Sequence, residues 1–455
     1  MLQSILLLLT LAAGNGGEAL EQDPQISATQ RLGERLFHET RFSSPAADMA
    51  TGCASCHQPA DAAGDRAFTE LLARSWQPWR SDDPVRDTLR NTPTLMDVAA
   101  APRLHYDGEF SSLEEQAHLT LIGRNFGWLP GESEKAAAHV AGVIRDNEEY
   151  LPLFAAAFGD DALTAADATL LDHASTAIAD FMHTLRSPRQ TPYDEFVRLN
   201  GLPEAPQEGE TPDAFAHRVM TGVRERAYGS GLIRPRNFNL DALHGMRLFL
   251  TTDGSNAGNC VACHTPPNFT DHAFRNAGVA QAEYDALHGD GAFAALAVPD
   301  LPRGPGGNNA LRQRAARDSR DLADLGYWNY ADPATSPFRR NAETVEAYRK
   351  RSIAAVKTPT LRHLGSTDPY MHNGAYRTIE AALLQHIKAA HAARAGTLRN
   401  VDPELARMTI GRESIMPLFA FLNTLNEPTG RRAIPESERD DVGTGASNPE
   451  RYPRY

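Results

Sequence analysis

All four cysteines of the 455-residue chain lie in two C-x-x-C-H motifs. The motifs contain these cysteines and histidines: Cys53, Cys56, His57, Cys260, Cys263 and His264. In such a motif two thiols can bond to the vinyl-derived carbons of one porphyrin, and the adjacent histidine gives its imidazole to the iron. A single copy could also be a redox dithiol or half of a zinc site. Two copies that use every cysteine predict two covalently bound haem c groups, with both histidines as iron ligands.

The two motifs belong to an internal repeat. Three further blocks recur around them in the same order: G-x-R-L-F at 33–37 and 245–249, T-P-T-L at 92–95 and 358–361, and F-x-x-T-L at 181–185 and 421–425. Asp107-Gly108 and Asn373-Gly374 follow the T-P-T-L blocks at equal distances. A duplicated domain with one haem in each copy explains this matched spacing.

Helical signals dominate between the motifs. S-L-E-E at 112–115 is typical of a helix start, a second long helix is predicted over 164–185, and strand-like alternation is nearly absent. The predicted fold class is all-α, with two tandem cytochrome c-type domains at 20–215 and 216–430. An insertion at about 275–355 in the second half contains R-G-P-G-G, which predicts a mainly surface-exposed loop and a candidate contact for a partner.

The start of the chain predicts its location. The apolar run after Met1 is shorter than the roughly 20 residues that span a bilayer, and small residues follow it. Residues 1–19 are therefore predicted to be a secretory signal peptide, although no Lys or Arg precedes the run. We expect a periplasmic protein with no membrane span and a polar tail at 431–455. The formal charge of −13 argues against nucleic acid as a partner.

The two irons are offered different sixth ligands. In the repeat alignment Gln116 and Thr120 of the first half correspond to Ala382 and His386 of the second. Each pair is spaced i, i+4 and so shares one helix face. An imidazole binds iron readily, whereas an amide and a hydroxyl do not, so the first haem is predicted to be open and the second to be closed by His386. The competing ligands in the second half are Met371, His372, His391 and Met408, of which Met371 is the strongest.

As a set, these blocks resemble the bacterial dihaem cytochrome c peroxidase family, which includes MauG-like enzymes. The matching blocks are R-N-T-P-T at 90–94, Y-D-G at 106–108, L-E-E-Q at 113–116, K-T-P-T-L-R at 357–362 and P-Y-M-H-N-G at 369–374, together with both C-x-x-C-H motifs. The resemblance implies two all-α cytochrome c domains with a calcium ion between them. It also implies that the amino-terminal haem reacts with hydrogen peroxide while the carboxy-terminal haem transfers electrons.

The resemblance also implies roles for individual residues. The calcium ligands of the family fall on the Asn91 side chain and on the backbone carbonyls of Thr367 and Pro369. The distal glutamine falls on Gln116, where it could hydrogen-bond to peroxide. The tryptophan often found between the haems falls on Tyr106, which is still an oxidisable aromatic residue.

The sequence departs from the family pattern at the distal acid. The glutamate expected to move the peroxide proton falls on Phe126. Glu132 is the nearest replacement if the register shifts, and Glu114 and Glu115 are weaker candidates.

Two further departures concern the haem ligands. No histidine lies between residues 58 and 104, where many members carry a loop histidine that caps the resting first haem. We therefore expect an open first site, as in MauG-like members. His386 stands where other peroxidases place methionine and where MauG places tyrosine. Imidazole in place of thioether should lower the potential of the second haem.

Three functions are compatible with these residues. The first is a peroxidase that takes electrons from a small redox protein through the second haem. The alternative is a MauG-like enzyme that oxidises an aromatic residue, such as tryptophan, of a partner protein. A pure electron-transfer cytochrome would need both irons closed, and the expected open first site counts against it. The acidic surface would suit a basic cytochrome as the electron donor.

Overall fold

A computed structural model describes residues 26–58, 80–83, 90–229, 231–299 and 309–427 of the chain. The predicted signal peptide at 1–19 and the polar tail at 431–455 lie outside these residues. Within the described ranges, no helix is both long enough and apolar enough to cross a membrane.

The described chain is mainly helical, with two short strands. The helices are α1 Ala28–Phe37, α2 Cys53–Cys56, α3 Leu113–Leu121, α4 Ser133–Arg145, α5 Tyr150–Phe158, α6 Asp167–Met182, α7 Pro192–Asn200, α8 Pro212–Tyr228, α9 Leu240–Leu250, α10 Val279–His288, α11 Ala292–Ala295, α12 Val345–Ser352, α13 Ile379–Arg394, α14 Pro403–Arg407 and α15 Ile415–Asn423. The strands β1 Phe274–Arg275 and β2 Val356–Lys357 pair antiparallel, with Phe274 opposite Lys357. The sheet therefore joins the two ends of the insertion.

Local sequence explains where these helices begin. Ser112 caps α3 by accepting a hydrogen bond from the Glu115 backbone N–H at 3.1 Å, as the S-L-E-E block predicts. Thr378 caps α13 in the same way, so the two helices begin at equivalent positions of the repeat. The long helix predicted over 164–185 forms as α6, with a separate short turn before it.

The repeat is visible as the same helix packing in both halves. Helix α1 packs on α6, and α9 packs on α15. At the first contact a Cβ on Gly33 would lie 1.8 Å from the Ala177 carbonyl oxygen. At the second, a Cβ on Gly245 would lie 1.9 Å from the Pro417 carbonyl oxygen. Both glycines of the G-x-R-L-F blocks are therefore required for close backbone approach between two helices.

A second repeated feature is a small bridged loop in each half, which carries an aromatic ring at the equivalent position. Leu104 bridges to Phe110 in the first half, and Tyr370 bridges to Tyr376 in the second. Inside these small loops lie the equivalent residues Tyr106 and His372, whose ring centroids are 6.2 Å apart. The two halves thus meet through corresponding loops. The first loop leads into α3, which carries Gln116 and Thr120, and the second leads into α13, which carries His386.

The insertion differs from its prediction. Besides its exposed residues, its described part forms an aromatic core of its own around Tyr284, Phe293 and Trp328. Tyr327 and Tyr348 form a second cluster, in which the Tyr327 ring stacks on Phe274 with centroids 3.9 Å apart. The sequence did not indicate this core, because the aromatic residues of the insertion have no regular period. The R-G-P-G-G block lies outside the described residues.

The glycine contacts make a stability prediction. Gly33→Ala is expected to lower the free energy of unfolding by about 1–3 kcal/mol, because α1 and α6 must move apart to admit the methyl group. Gly142→Ala in α4 is the matched control, since a Cβ there meets nothing within 4 Å. The control should stabilise the protein by about 0.5–1 kcal/mol through higher helix propensity. Thermal unfolding of the holoprotein measures both, and equal effects of the two substitutions would contradict the packing described here.

Candidate functional site

The second C-x-x-C-H motif lies at an apolar cavity in the carboxy-terminal half. Cys260, Cys263 and His264 line this cavity, and His386 of α13 lines it as well. The motif folds into one tight turn in which the His264 backbone N–H donates to the Cys260 carbonyl oxygen at 2.8 Å. The structure therefore brings together the histidine of the motif and the candidate sixth ligand, which are far apart in sequence.

The Nδ1 atoms of both histidines face backbone carbonyl groups. His264 Nδ1 lies 3.0 Å from the Phe269 carbonyl oxygen, and His386 Nδ1 lies 2.9 Å from that of Ala382. A proton on each Nδ1 leaves the Nε2 lone pair free for a metal. Burial, with a further contribution from His386, lowers the pKa of His264 to about 4, and burial also lowers the pKa of His386. Both rings are therefore neutral at neutral pH, as iron ligation requires.

Three of the four competing ligands line the same cavity as His386. Met371, His372 and Met408 also line the cavity, whereas His391 is exposed. The backbone carbonyl of His372 accepts a hydrogen bond from the Asn91 N–H at 2.7 Å, which ties that residue to the first half.

Burial is the main influence on three of the four thiols. Burial raises the pKa of the Cys53, Cys260 and Cys263 thiols to about 12. Redox dithiols and zinc sites use thiolates, whose pKa values are lowered by nearby positive charge or by the metal. Buried thiols beside an apolar cavity instead suit covalent attachment to a flat apolar group.

The first motif has the same local fold as the second. Cys53–Cys56 forms one helical turn, and the His57 backbone N–H donates to the Cys53 carbonyl oxygen at 2.9 Å. Cys53 packs against the amino-terminal core. On α3, Gln116 donates through Nε2 to the Thr120 hydroxyl at 2.9 Å, so the two residues share one face as predicted.

Glu132 has a structural role. Its carboxylate accepts hydrogen bonds from Arg80 at 2.6 Å and from the Leu129 backbone N–H at 3.0 Å. The backbone hydrogen bond contributes most to lowering the pKa of Glu132, and Arg80 lowers it further. A carboxylate held ionised in this way is a poor proton donor, so its predicted catalytic role gains no support from this geometry. Phe126 lies in the core, and Glu115 bonds to Ser111.

Tyr106 lies between the halves. It lines the cavity of the second motif and also a neighbouring cavity that contains Asn91, Thr367 and Pro369. Its carbonyl oxygen accepts a hydrogen bond from the Lys357 backbone N–H at 2.8 Å. Burial raises the pKa of the Tyr106 phenol.

The three predicted calcium ligands come together in that second cavity. Asn91 Nδ2 lies 2.5 Å from the Pro369 carbonyl oxygen, and Thr367 lines the same space. The Asn91 side-chain oxygen is buried without a hydrogen-bond partner. Amide and carbonyl oxygens are ligands that calcium prefers, so this donor set fits the ion.

The sequence did not predict a buried ion network that links the insertion to the first half. Arg90 donates to both carboxylate oxygens of Asp324 at 2.7 Å and to Asp107 at 2.6 Å. Arg312 of the insertion pairs with Asp107 at 2.7 Å and also with Glu109. Burial opposes ionisation of Asp107 and Asp324, but the arginines more than offset it and lower the pKa of both. The sequence did carry one indication of this network, because Arg90 and Asp107 both lie in blocks that resemble the family pattern.

Known proteins resemble the chain over most of its length. A family model described as di-haem cytochrome c peroxidase matches residues 27–201. The cytochrome-c peroxidase IdrP1 of Denitromonas iodatirespirans is 24% identical over 89% of this chain and 83% of its own length. The methylamine utilization protein MauG of Paracoccus denitrificans is 27% identical over 84% of this chain and 79% of its own.

Solved structures share the fold. A MauG-like protein associated with microbial copper homeostasis superposes with a TM-score of 0.55 at 20% identity, covering 90% of this chain and 92% of that one. The diheme peroxidase BthA from Burkholderia thailandensis gives a TM-score of 0.55 at 20% identity, covering 89% and 87%.

The fold is mainly helical, and each half carries one C-x-x-C-H turn. Residues 27–201 of the chain match the di-haem cytochrome c peroxidase family, and the relatives that match most of the chain are named cytochrome-c peroxidases and MauG proteins. This similarity supports two haem c groups and a haem peroxidase activity.

The ion network makes a prediction about stability. Asp324→Ala leaves Arg90 buried with one carboxylate instead of two, so we expect a loss of about 3–5 kcal/mol of unfolding free energy at pH 7. Because the pKa of Asp324 is lowered, its contribution is complete above the usual aspartate range near pH 4 and fades as the pH falls further.

The difference in unfolding free energy between the wild-type protein and Asp324→Ala should therefore become smaller at acid pH. Thermal unfolding measured across pH tests this. Glu346→Gln breaks the exposed pair with Lys350 and serves as a control without a measurable change. A wild-type melting temperature for Asp324→Ala at pH 7 would contradict a compensating role for this carboxylate.

Proposed function

We propose that the chain reacts with hydrogen peroxide at a haem bound to Cys53 and Cys56, and that electrons pass through a second haem bound to Cys260 and Cys263. The observation that carries this proposal is the inequality of the two sites. His386 faces the same cavity as His264, whereas the equivalent position in the first half is Thr120.

The haems supply the redox chemistry when bound, and the protein residues orient and protect the reactants. His57 and His264 are assigned as the proximal ligands. Gln116 is assigned to orient peroxide by a side-chain hydrogen bond, as the family resemblance implies, and its side chain lies on the same face of α3 as Thr120. Tyr106 is assigned as the aromatic residue between the sites, since it lines the second cavity from the first half.

His386 is assigned as the sixth ligand of the second haem. Its burial, its neutral ring and its Nδ1 contact support this assignment over Met371, whose thioether is the main alternative in the cavity. The role of Glu132 as proton donor remains a prediction from the sequence.

Calcium is proposed between Asn91, Thr367 and Pro369. The unpartnered Asn91 oxygen and the nearby Pro369 carbonyl support it. The backbone of Asn91 also bonds to His372, so an ion there would stiffen the junction between the two halves.

The electron source is proposed to be a small redox protein. The location is proposed to be the periplasm, in line with the signal peptide predicted in the sequence and with the MauG and cytochrome c peroxidase relatives. The alternative is a MauG-like enzyme that oxidises an aromatic residue of a partner protein. His386 favours the alternative, because a second imidazole lowers the potential of a haem and so favours storage of oxidising equivalents. Relatives named MauG are consistent with it.

Rapid mixing of the diferric protein with one equivalent of peroxide tests the proposed function. After mixing, the Soret absorption band of one haem should change. An unchanged Soret band for both haems would contradict the proposal. Repeated turnover with a reduced small cytochrome would identify the peroxidase. A long-lived oxidised state that such a donor does not discharge would identify the MauG-like alternative.

The ligand assignment makes a separate prediction. His386→Met should raise the midpoint potential of one haem by on the order of 0.1 V, within the roughly 0.8 V that axial ligands span. The other haem should keep its potential. Met371→Leu is the matched control and should leave both potentials unchanged in a spectroelectrochemical titration. A shift for Met371→Leu, with none for His386→Met, would assign the ligand to Met371 instead.

A further inference from the structure

Tyr330 of the insertion is hydrogen-bonded to a carboxylate of the first half. Its hydroxyl donates to Glu109 at 3.0 Å. Glu109 is itself held by His105, whose Nδ1 lies 3.0 Å from the other carboxylate oxygen, and by Arg312. The contact joins two segments that are more than two hundred residues apart in the chain.

The same short segment carries Tyr106. Glu109 follows Tyr106 by three residues, and between them a Cβ on Gly108 would lie 3.1 Å from the Tyr327 ring. Tyr327 and Tyr330 belong to one helical turn of the insertion. This turn is therefore held against the Tyr106 segment at two points, by ring packing on Gly108 and by the hydrogen bond to Glu109.

The surroundings of Tyr330 favour loss of its proton together with an electron. Burial raises the pKa of the Tyr330 phenol, so the phenolate is not formed at neutral pH. The Arg312 guanidinium lies 5.1 Å from the ring centroid, and this positive charge opposes removal of an electron alone. Burial opposes ionisation of Glu109, but His105 and Arg312 more than offset it and lower its pKa. The carboxylate is therefore ionised and able to accept a proton.

We propose that Tyr330 is a redox-active residue that delivers one electron, by way of Tyr106, to the haem system after its oxidation by hydrogen peroxide. This inference rests on the proposed function. In the step the Tyr330 O–H bond breaks and the proton forms a new O–H bond on Glu109. The electron reduces the peroxide-oxidised haem system by one equivalent, and Tyr330 remains as a neutral tyrosyl radical. An electron from the external donor and the proton on Glu109 later restore the phenol.

Two other tyrosines provide matched controls. Tyr150 also donates to a carboxylate, that of Glu39 at 2.6 Å, but on a different segment from Tyr106. Tyr284 lies in the insertion like Tyr330, but its hydroxyl donates to the Arg320 backbone carbonyl at 2.7 Å. Tyr150 therefore has a carboxylate as proton acceptor, but that carboxylate is not on the Tyr106 segment. Tyr284 belongs to the insertion, but among the described residues its hydroxyl has no carboxylate partner.

The test adds one equivalent of peroxide to the diferric holoprotein in the presence of a nitroso spin trap. EPR of rapidly frozen samples measures radical formation, and peptide mass spectrometry locates the trapped adduct. We expect the adduct on Tyr330 and its loss in Tyr330→Phe, with Tyr150→Phe and Tyr284→Phe unchanged. Glu109→Gln can accept the hydrogen bond but not the proton, so it should slow radical formation by about 100-fold.

The outcomes separate this inference from the proposed function. A normal Soret response to peroxide with the adduct on Tyr150, on Tyr284 or on Tyr106 alone would overturn the role of Tyr330 and leave the proposed function standing. A wild-type radical yield in Tyr330→Phe would do the same. No Soret response in the wild-type protein would overturn both.

Discussion

A buried guanidinium must carry its charge, and the junction of this protein is arranged around that requirement. Arg90 stays protonated at any relevant pH, so its burial requires carboxylates at hydrogen-bonding distance. Asp107 comes from its own half and Asp324 comes from the insertion. The first half and the insertion therefore have to pack so that both carboxylates reach Arg90. Tyr106 precedes Asp107 in the chain and lies at this contact.

The duplicated fold then allows the two sites to differ. Equivalent glycines at 33 and 245 set the same helix contact in each half, and equivalent loops carry Tyr106 and His372. Within this common frame, Thr120 and His386 stand at corresponding positions of the two helices, and this difference is the basis of the proposed inequality of the two sites. One architecture can thus provide a site for peroxide and a site for electron storage.

The repeat and the motif spacing predicted much of this arrangement from the sequence. The helix start at Ser112 and the shared face of Gln116 and Thr120 follow from local patterns. The repeat alignment predicted His386 as a sixth ligand, and the structure shows His386 and His264 lining one cavity. These features depend on near neighbours in the chain or on a comparison of the chain with itself.

The features that the sequence did not predict depend on contacts between distant segments. Asp324 and Arg312 belong to an insertion that has no counterpart in the first half, so the repeat gives no information about them. Glu132 was selected because it is close in sequence to the expected acid, whereas the structure pairs it with Arg80, fifty-two residues away. Their partners become visible only when the folded chain is known.

Low-temperature EPR of the resting diferric holoprotein tests the central claim, which is that the two haems are unequal because only the second has a histidine at its sixth position. Unequal haems should give one high-spin signal from the first haem and one low-spin signal typical of two imidazole ligands from the second, in equal amounts. Two low-spin haems, or two high-spin haems, would contradict the claim.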